Sequence, residues 1–143
     1  VACYPEIHPQ AEDAHHDIRY FVEKAQLGAS SAITQYFYNA DAYFRFVDDV
    51  NKLGLHIPII PGIMPISNYS QLKRFSQMCG AEIPRWMAQR MLSYGDDVDS
   101  IREFAADCVA ELCRKLLAGG AKELHFYTLN IANPTTSVLS RLA

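Results

Sequence analysis

The residues of this sequence that could do chemistry lie where short apolar segments end. Tyr4 and His8 follow the first such segment, Gln35 ends the second, and Tyr127 lies in the fourth. Together they offer aromatic rings, an amide, hydroxyls and an imidazole, with little formal charge. Such a set suits a flat, aromatic, hydrogen-bonding ligand better than a metal ion or a phosphate ester.

Each of these residues also has a purely structural explanation, which the sequence leaves open. His8 stands beside prolines and could order its loop by bonding a backbone carbonyl. Gln35 could pair with a neighbouring backbone group, and Tyr127 could line the core with its hydroxyl at the rim.

Three further residues fall on predicted helices. Phe75 has the position of an ordinary packing residue. Asp17 and Lys24 are seven positions apart and therefore share one helical face, which could simply be solvated.

Familiar catalytic and metal-binding motifs are absent. The sequence has no GxGxxG, no phosphate-binding loop with its lysine, no GxSxG and no HExxH. His15 and His16 are adjacent and so point apart, while Asp96, Asp97 and Asp99 lack the spacing of a calcium loop. We therefore predict no metal site, and no local nucleophile–base pair is found.

Composition and charge exclude several classes of partner. The chain has 143 residues, 20 % of them charged, with a formal net charge of −3, so no basic excess indicates nucleic acid. No apolar run approaches the roughly 18 residues of a membrane helix, and residues 1–10 lack the features of a signal peptide. We expect neither a nucleic-acid nor a membrane partner.

The four cysteines are predicted to be reduced and structural. None forms a CxxC pair, and no histidine lies at zinc-finger spacing from them. Cys108 and Cys113 fall on an apolar helical stripe, where buried thiols are common. This use of cysteine is typical of a reducing compartment, and we expect a cytoplasmic protein.

Strand-like and helical segments alternate along the chain. The predicted strands are residues 1–4, 31–38, 57–60 and 123–128, and the predicted helices are about 12–27, 41–54, 70–78, 84–91, 97–119 and a terminal helix from Pro134. Expected caps are Asp41 for the second helix, Ser70 for the third and either Asp96 or Asp97 for the fifth. Short apolar strands in this rhythm favour a parallel sheet with helical crossovers. An open doubly wound sheet and part of a (β/α)₈ barrel both fit; a whole barrel takes about 250 residues, so four units are close to half of one.

Four motifs in collinear order give the sequence a family resemblance. They are Ala2–Pro9 (ACYPEIHP), Gly28-Ala29 with Ala32–Tyr38 (AITQYFY), Ile60–Ile66 (IPGIMPI) and Leu124–Asn130 (LHFYTLN). Over nearly its whole length the chain resembles the reductase domain of the methylenetetrahydrofolate reductase family. The resemblance implies a (β/α)₈ TIM barrel with FAD at the C-terminal ends of the strands.

By the same resemblance, residues 1–143 would form the C-terminal half of that barrel, about strands 5 to 8. The start of the chain inside a strand-like segment without a Met also indicates a fragment. The N-terminal half would then be absent, together with the family's general-acid Glu and the Asp near the flavin. No catalytic residue is therefore predicted in this segment, which alone is expected to be inactive.

The resemblance also assigns binding roles. Five positions match residues that contact FAD in the family: Ala2, Tyr4, His8, Asp17 and Lys24. Three match residues at the shared folate and nicotinamide site: Gln35, Phe75 and Tyr127. Asp17 and Lys24 would reach the ribose and diphosphate, and Gln35 would hydrogen-bond both partners in turn.

Two departures from the family pattern concern binding strength. Ile131 stands where the family often has an Arg near the folate tail. Loss of a cation there would weaken a contact to a carboxylate by about 1–3 kcal/mol. Tyr20 and Glu23 replace polar and basic residues that some members place beside the cofactor, so the affinity for FAD is expected to differ.

The function implied by the resemblance is FAD-dependent reduction of 5,10-methylenetetrahydrofolate to 5-methyltetrahydrofolate by a ping-pong mechanism. NADH or NADPH would be the electron donor, and a cytoplasmic homo-oligomer of one-carbon and methionine metabolism is expected. The alternative is a non-catalytic half-barrel that binds a flavin or a protein. A barrel enzyme of the aldolase type would require a lysine at the end of a strand, and none is present at those positions.

Overall fold

The computed structural model, which describes residues 1–143, contains five short strands and six helices. The strands are β1 (Ala2–Cys3), β2 (Ala32–Thr34), β3 (Ile59–Ile60), β4 (Gly62–Ile63) and β5 (His125–Phe126). The helices are α1 (Ala14–Gln26), α2 (Ala40–Lys52), α3 (Tyr69–Cys79), α4 (Arg85–Ser93), α5 (Val98–Ala118) and α6 (Ala132–Leu142). Every strand pair is parallel, which confirms the α/β class with a parallel sheet.

The strands form two ladders that share one stretch of chain. The first has the order β1-β2-β3, and the second pairs β4 with β5. Pro61 separates β3 from β4 because proline has no N–H to continue a ladder. Its carbonyl nevertheless accepts a hydrogen bond from the backbone N–H of His125 at 3.0 Å. The third predicted strand therefore extends past Pro61 and connects β2 to β5.

Helix α5 supplies the centre of the larger of two cores. Its buried face carries Ile101, Ala105, Val109, Cys113 and Leu116, as the apolar stripe in the sequence predicts. The smaller core joins β1 and α1 to one side of α2. None of the six helices combines the length and the apolar character that crossing a membrane requires.

The sequence placed two helix caps wrongly. Asn39, not Asp41, caps α2, and Asn68, not Ser70, caps α3; each asparagine side chain accepts a backbone N–H from the first turn. Asp41 instead lies within the first turn of α2, where its carboxylate interacts favourably with the positive end of the helix dipole. The cap of α5 is Asp97, one of the two residues expected.

Strand lengths and the last helix also differ from the sequence prediction. Only Ala32–Thr34 of the segment 31–38 is paired as a strand, and an irregular loop then leads from Gln35 to α2. Helix α6 begins at Ala132, and Pro134 falls in its first turn. That position tolerates proline because the first N–H groups of a helix have no partner within it.

Candidate functional site

The C-terminal ends of β1, β2 and β5 are joined by direct hydrogen bonds. The backbone N–H of Gln35 donates to the carbonyl of Cys3 at 2.8 Å. The hydroxyl of Tyr127 donates to the carbonyl of Thr34, also at 2.8 Å. Tyr4, Gln35 and Tyr127, each directly after its strand, therefore follow one edge of the sheet.

Gly62 and Thr34 build the middle of this edge. The buried Thr34 hydroxyl accepts the backbone N–H of Gly62 at 2.8 Å. A methyl group on Gly62 would lie 2.2 Å from the Thr34 carbonyl oxygen and 2.6 Å from Cε2 of Tyr127. Only glycine allows the Tyr127 ring to lie this close to the backbone. Sequence reasoning assigned neither residue a role, although the Pro-Gly pair at a strand end was a possible signal.

The five residues predicted to contact a cofactor line one cavity of about 540 Å³ beside β1 and α1. They are Ala2, Tyr4, His8, Asp17 and Lys24. The exposed ring of Tyr20 and the carboxylate-bearing Glu12 also line it. The structure thus brings these five together, although they span 23 positions of sequence.

Hydrogen bonds fix the polar groups of this cavity. A carboxylate oxygen of Asp17 accepts the backbone N–H of His8 at 2.8 Å, and the Lys24 amine donates to the carbonyl of Ala2 at 2.9 Å. Nδ1 of His8 accepts the N–H of Gln10 at 3.1 Å, so a neutral imidazole carries its proton on Nε2. His8 does order its loop, but by accepting an N–H and not by bonding a carbonyl. The rings of Tyr4 and His8 meet edge to face, with centroids 4.5 Å apart.

Phe75 and Tyr127 line a second, much smaller cavity of about 20 Å³ between α3 and the loop after β5. Ile131, exposed in that loop, also lines it. Leu129 and Asn130 have φ angles of 50° and 59°, in the left-handed region that is unfavourable for side-chain-bearing residues. Backbone strain of this kind often accompanies binding loops.

Gln35 lines neither of these two cavities. It borders a narrow gap of about 10 Å³ with Tyr36 and with Gly80 of the turn after α3. Its side-chain oxygen accepts the backbone N–H of Tyr36 at 3.0 Å, which is the structural role considered for it. The amide NH₂ has no protein acceptor and remains able to donate to a ligand.

Buried hydroxyls and thiols around the strand ends keep their protons at neutral pH. Burial raises the pKa of Tyr127, and the nearby Cys3 and Tyr4 raise it further. Burial also raises the pKa of Tyr36, whose hydroxyl lies 2.9 Å from that of Ser76 on α3. Burial raises the pKa of Cys3 to about 12. These groups act here as hydrogen-bond partners and packing residues, not as bases or nucleophiles.

The ionisable residues of the chain do not gather into a metal-binding group. No three His, Cys, Asp or Glu side chains come close enough together to hold an ion. All four cysteines are free thiols.

Comparisons with known proteins place this arrangement in context. The family model described as methylenetetrahydrofolate reductase matches residues 1–143. The 5,10-methylenetetrahydrofolate reductase of Buchnera aphidicola subsp. Schizaphis graminum is 42 % identical over 138 residues, which cover 96 % of this chain and 47 % of that protein. The Escherichia coli K12 reductase is 39 % identical over 142 residues, covering 99 % of this chain and 48 % of the relative. The chain thus spans about half the length of these curated relatives.

Two further likenesses extend the comparison. Methylenetetrahydrofolate reductase (NADH) 1 of Zea mays is 36 % identical over 151 residues, covering 99 % of this chain and 26 % of the maize protein. Among solved structures, a Clostridium thermocellum protein that binds two copies of 5-methyl-5,6,7,8-tetrahydrofolic acid matches with a TM-score of 0.62 at 20 % identity. That match covers 98 % of this chain and 50 % of the other and shows a shared fold.

Proposed function

Because this chain belongs to the methylenetetrahydrofolate reductase family, we propose that it forms part of an enzyme that reduces 5,10-methylenetetrahydrofolate to 5-methyltetrahydrofolate. FAD is the proposed cofactor, and NADH or NADPH the proposed electron donor. The observation that carries the proposal is the single cavity lined by Ala2, Tyr4, His8, Asp17 and Lys24 beside the strand ends. The folate ligand of the Clostridium thermocellum protein adds support for a folate substrate.

The proposed architecture is the C-terminal half of a (β/α)₈ barrel, about strands 5 to 8. Support comes from the uniformly parallel strands and from the match to about half of each bacterial relative. Barrel enzymes place their sites at the C-terminal ends of the strands, where Tyr4, Gln35 and Tyr127 follow one edge here. In this proposal the catalytic acid lies outside residues 1–143.

The residues of the larger cavity fit the parts of FAD. The Lys24 amine supplies a cation for a diphosphate. Asp17 accepts only one hydrogen bond from His8, so its carboxylate retains the capacity to accept ribose hydroxyls. The edge-to-face rings of Tyr4 and His8 offer an aromatic surface with a donor at Nε2. Against this fit, Glu12 adds a second negative charge, which would lower the affinity for a diphosphate.

The chemistry that FAD supplies when bound is hydride transfer in two successive half-reactions, the ping-pong scheme. The residues of this chain orient the partners. The free NH₂ of Gln35 can donate to a carbonyl oxygen, which nicotinamide and pterin both possess. Phe75, on α3, presents an aromatic ring for stacking, and Tyr127 ties the end of β5 to the end of β2, which Gln35 follows.

The test uses the full-length protein that contains this chain. We expect it to purify with bound flavin and to reduce methylenetetrahydrofolate. Gln35→Ala should slow both half-reactions by about tenfold or more, because one hydrogen bond to each partner is lost. Gln26→Ala, which removes an exposed amide at the end of α1, is the matched control and should leave both rates unchanged.

Three outcomes of this test distinguish the readings. Wild-type rates of both half-reactions in Gln35→Ala would reject the role of Gln35. A full-length protein that binds flavin without turnover would support the non-catalytic binding module. A protein that neither binds flavin nor reduces the folate would reject the proposed function as a whole.

A further inference from the structure

The loop between β1 and α1 is fastened to the turn between α3 and α4 by the side chain of Glu6. Its Oε2 accepts the backbone N–H of Glu82 at 2.8 Å, across 76 positions of sequence. Beside this bond Gly80 has a φ of +73° and ends α3. A methyl group on Gly80 would lie 3.0 Å from Cγ of Pro9, so the two segments also pack closely.

These two segments carry different parts of the candidate site. The loop bears Tyr4 and His8, which line the larger cavity. Helix α3 bears Phe75, which lines the smaller cavity. The contact between Glu6 and the Glu82 N–H therefore joins the predicted cofactor side to the predicted substrate side.

The local electrostatics make a carboxylate an unfavourable choice for packing alone. Burial raises the pKa of Glu6, and the charge of Glu82 raises it further, while the hydrogen bond from the Glu82 N–H opposes both effects. A smaller apolar residue would avoid this cost, but it could not accept the N–H. What the carboxylate adds is a directional bond that fixes the distance between loop and turn.

We propose that Glu6 is a positioning residue that holds Tyr4 and His8 in register with the helix that carries Phe75. It acts through these residues and contacts neither cofactor nor substrate itself. The inference rests on the proposed function, since it concerns the flavin and folate sites of the same enzyme. It predicts that loss of the Glu6 bond weakens both sites together.

The experiment compares Glu6→Ala, Glu6→Asp and Glu6→Gln in the full-length holoenzyme. The dissociation constant of FAD and the KM for methylenetetrahydrofolate are measured on the folded fraction. Glu6→Ala should raise both by about tenfold, as expected when a hydrogen bond to a charged group is lost. Glu6→Asp keeps the charge but is one methylene too short, so it should raise both as well.

Glu6→Gln should restore both constants to within about twofold of wild type, because its amide oxygen can accept the same N–H. Glu82→Ala is the matched control: it removes the neighbouring carboxylate but keeps the backbone donor, and both constants should stay unchanged. A packing residue without a positioning role would change stability and leave the FAD affinity and KM of the folded protein unaltered.

Each remaining outcome decides the question. If Glu6→Ala folds and binds FAD and folate as wild type does, the inference is wrong while the proposed function stands. If Glu6→Ala does not fold, Glu6→Asp and Glu6→Gln decide it, and equal constants for these two would overturn it. If the wild-type protein binds no flavin, the proposed function fails and the inference fails with it.

Discussion

The hydroxyl of Tyr127 donates a hydrogen bond of 2.8 Å to the backbone carbonyl of Thr34, 93 positions earlier in the sequence. The ring reaches that carbonyl by passing over Gly62, whose own N–H is bonded to the Thr34 side chain. The end of β5 is thus tied to the end of β2 across the strand between them. Gln35 follows Thr34 directly. The bond therefore also holds in place the backbone from which the Gln35 side chain extends.

Removal of the Tyr127 hydroxyl should loosen this edge. For Tyr127→Phe we expect the free energy of unfolding to fall by about 1 kcal/mol, since one partly buried hydrogen bond is lost and the ring is kept. Urea unfolding measures the change. Tyr20→Phe, at a ring that is 69 % exposed, is the control and should have no effect. An equally small change in both variants would mean that the bond contributes nothing in solution.

A methyl group at Gly62 should be far more damaging than one at Gly119. At Gly62 it would lie 2.2 Å from a backbone oxygen, which cannot move without breaking the ladder. At Gly119 its nearest neighbours are atoms of the Phe44 ring, a side chain that can rotate. We expect Gly62→Ala to lose at least about 3 kcal/mol or fail to fold, and Gly119→Ala to lose about 1–3 kcal/mol. Thermal unfolding of both variants checks the order, which a reversed result would contradict.

The sequence predicted those parts of the fold that depend on local pattern. The stripe of α5 from Ile101 to Leu116 is periodic and lies in the core as expected. The caps of α2 and α3 were misplaced because Asn39 and Asp41, like Asn68 and Ser70, are both good capping residues. The choice between them depends on where the backbone leaves the extended conformation, which tertiary packing decides.

The candidate site was predicted to a different extent for each residue. The family resemblance named five of the residues that line the larger cavity, and the structure places these five together. Nothing in the sequence indicated the role of Glu6, because its partner lies 76 positions away. The role of Gly62 was not predicted, since its closeness to Tyr127 depends on how β5 pairs with β4.

Glu6 should also make stability depend on pH. Its pKa in the folded protein is raised, chiefly by burial, so folding favours the protonated carboxyl group. The stability that results is fully present below the ordinary pKa of Glu6 and is lost as pH rises through the raised pKa. Glu6→Gln does not titrate there and retains the acceptor oxygen. We therefore expect the variant to gain stability relative to wild type as pH rises from about pH 4, the ordinary pKa of a glutamate, toward neutral pH. Chemical unfolding of both proteins across this range measures the difference; a pH-independent difference would contradict the raised pKa.

The four thiols should differ in reactivity. Burial raises the pKa of Cys3 to about 12 and that of Cys113 to about 11, and both side chains are inaccessible. Cys79 and Cys108 are only partly buried, although burial also raises the pKa of Cys108 to about 11. In native protein we expect iodoacetamide to modify Cys79 and Cys108 before Cys3 and Cys113, because the reagent must reach the sulfur and only these two thiols are accessible. Peptide mass mapping over time gives the order.

Unfolded protein, in which all four thiols should react alike, is the control. Early labelling of Cys3 in native protein would contradict the buried position of its side chain in β1.

Lys24 allows a direct test of the proposed cofactor orientation. Its amine donates to the carbonyl of Ala2 at 2.9 Å, which holds the charge at the wall of the larger cavity. Lys24→Met keeps much of the apolar stem and removes the charge, so the full-length protein should bind FAD about tenfold more weakly. The loss should shrink as ionic strength rises, because salt screens the attraction to the diphosphate in the wild type.

Riboflavin, which has no diphosphate, should bind both proteins alike. Lys52→Met removes an exposed lysine that pairs with Asp48 on α2 and serves as the control. Equal FAD affinity in Lys24→Met and wild type would place the diphosphate away from this wall of the cavity.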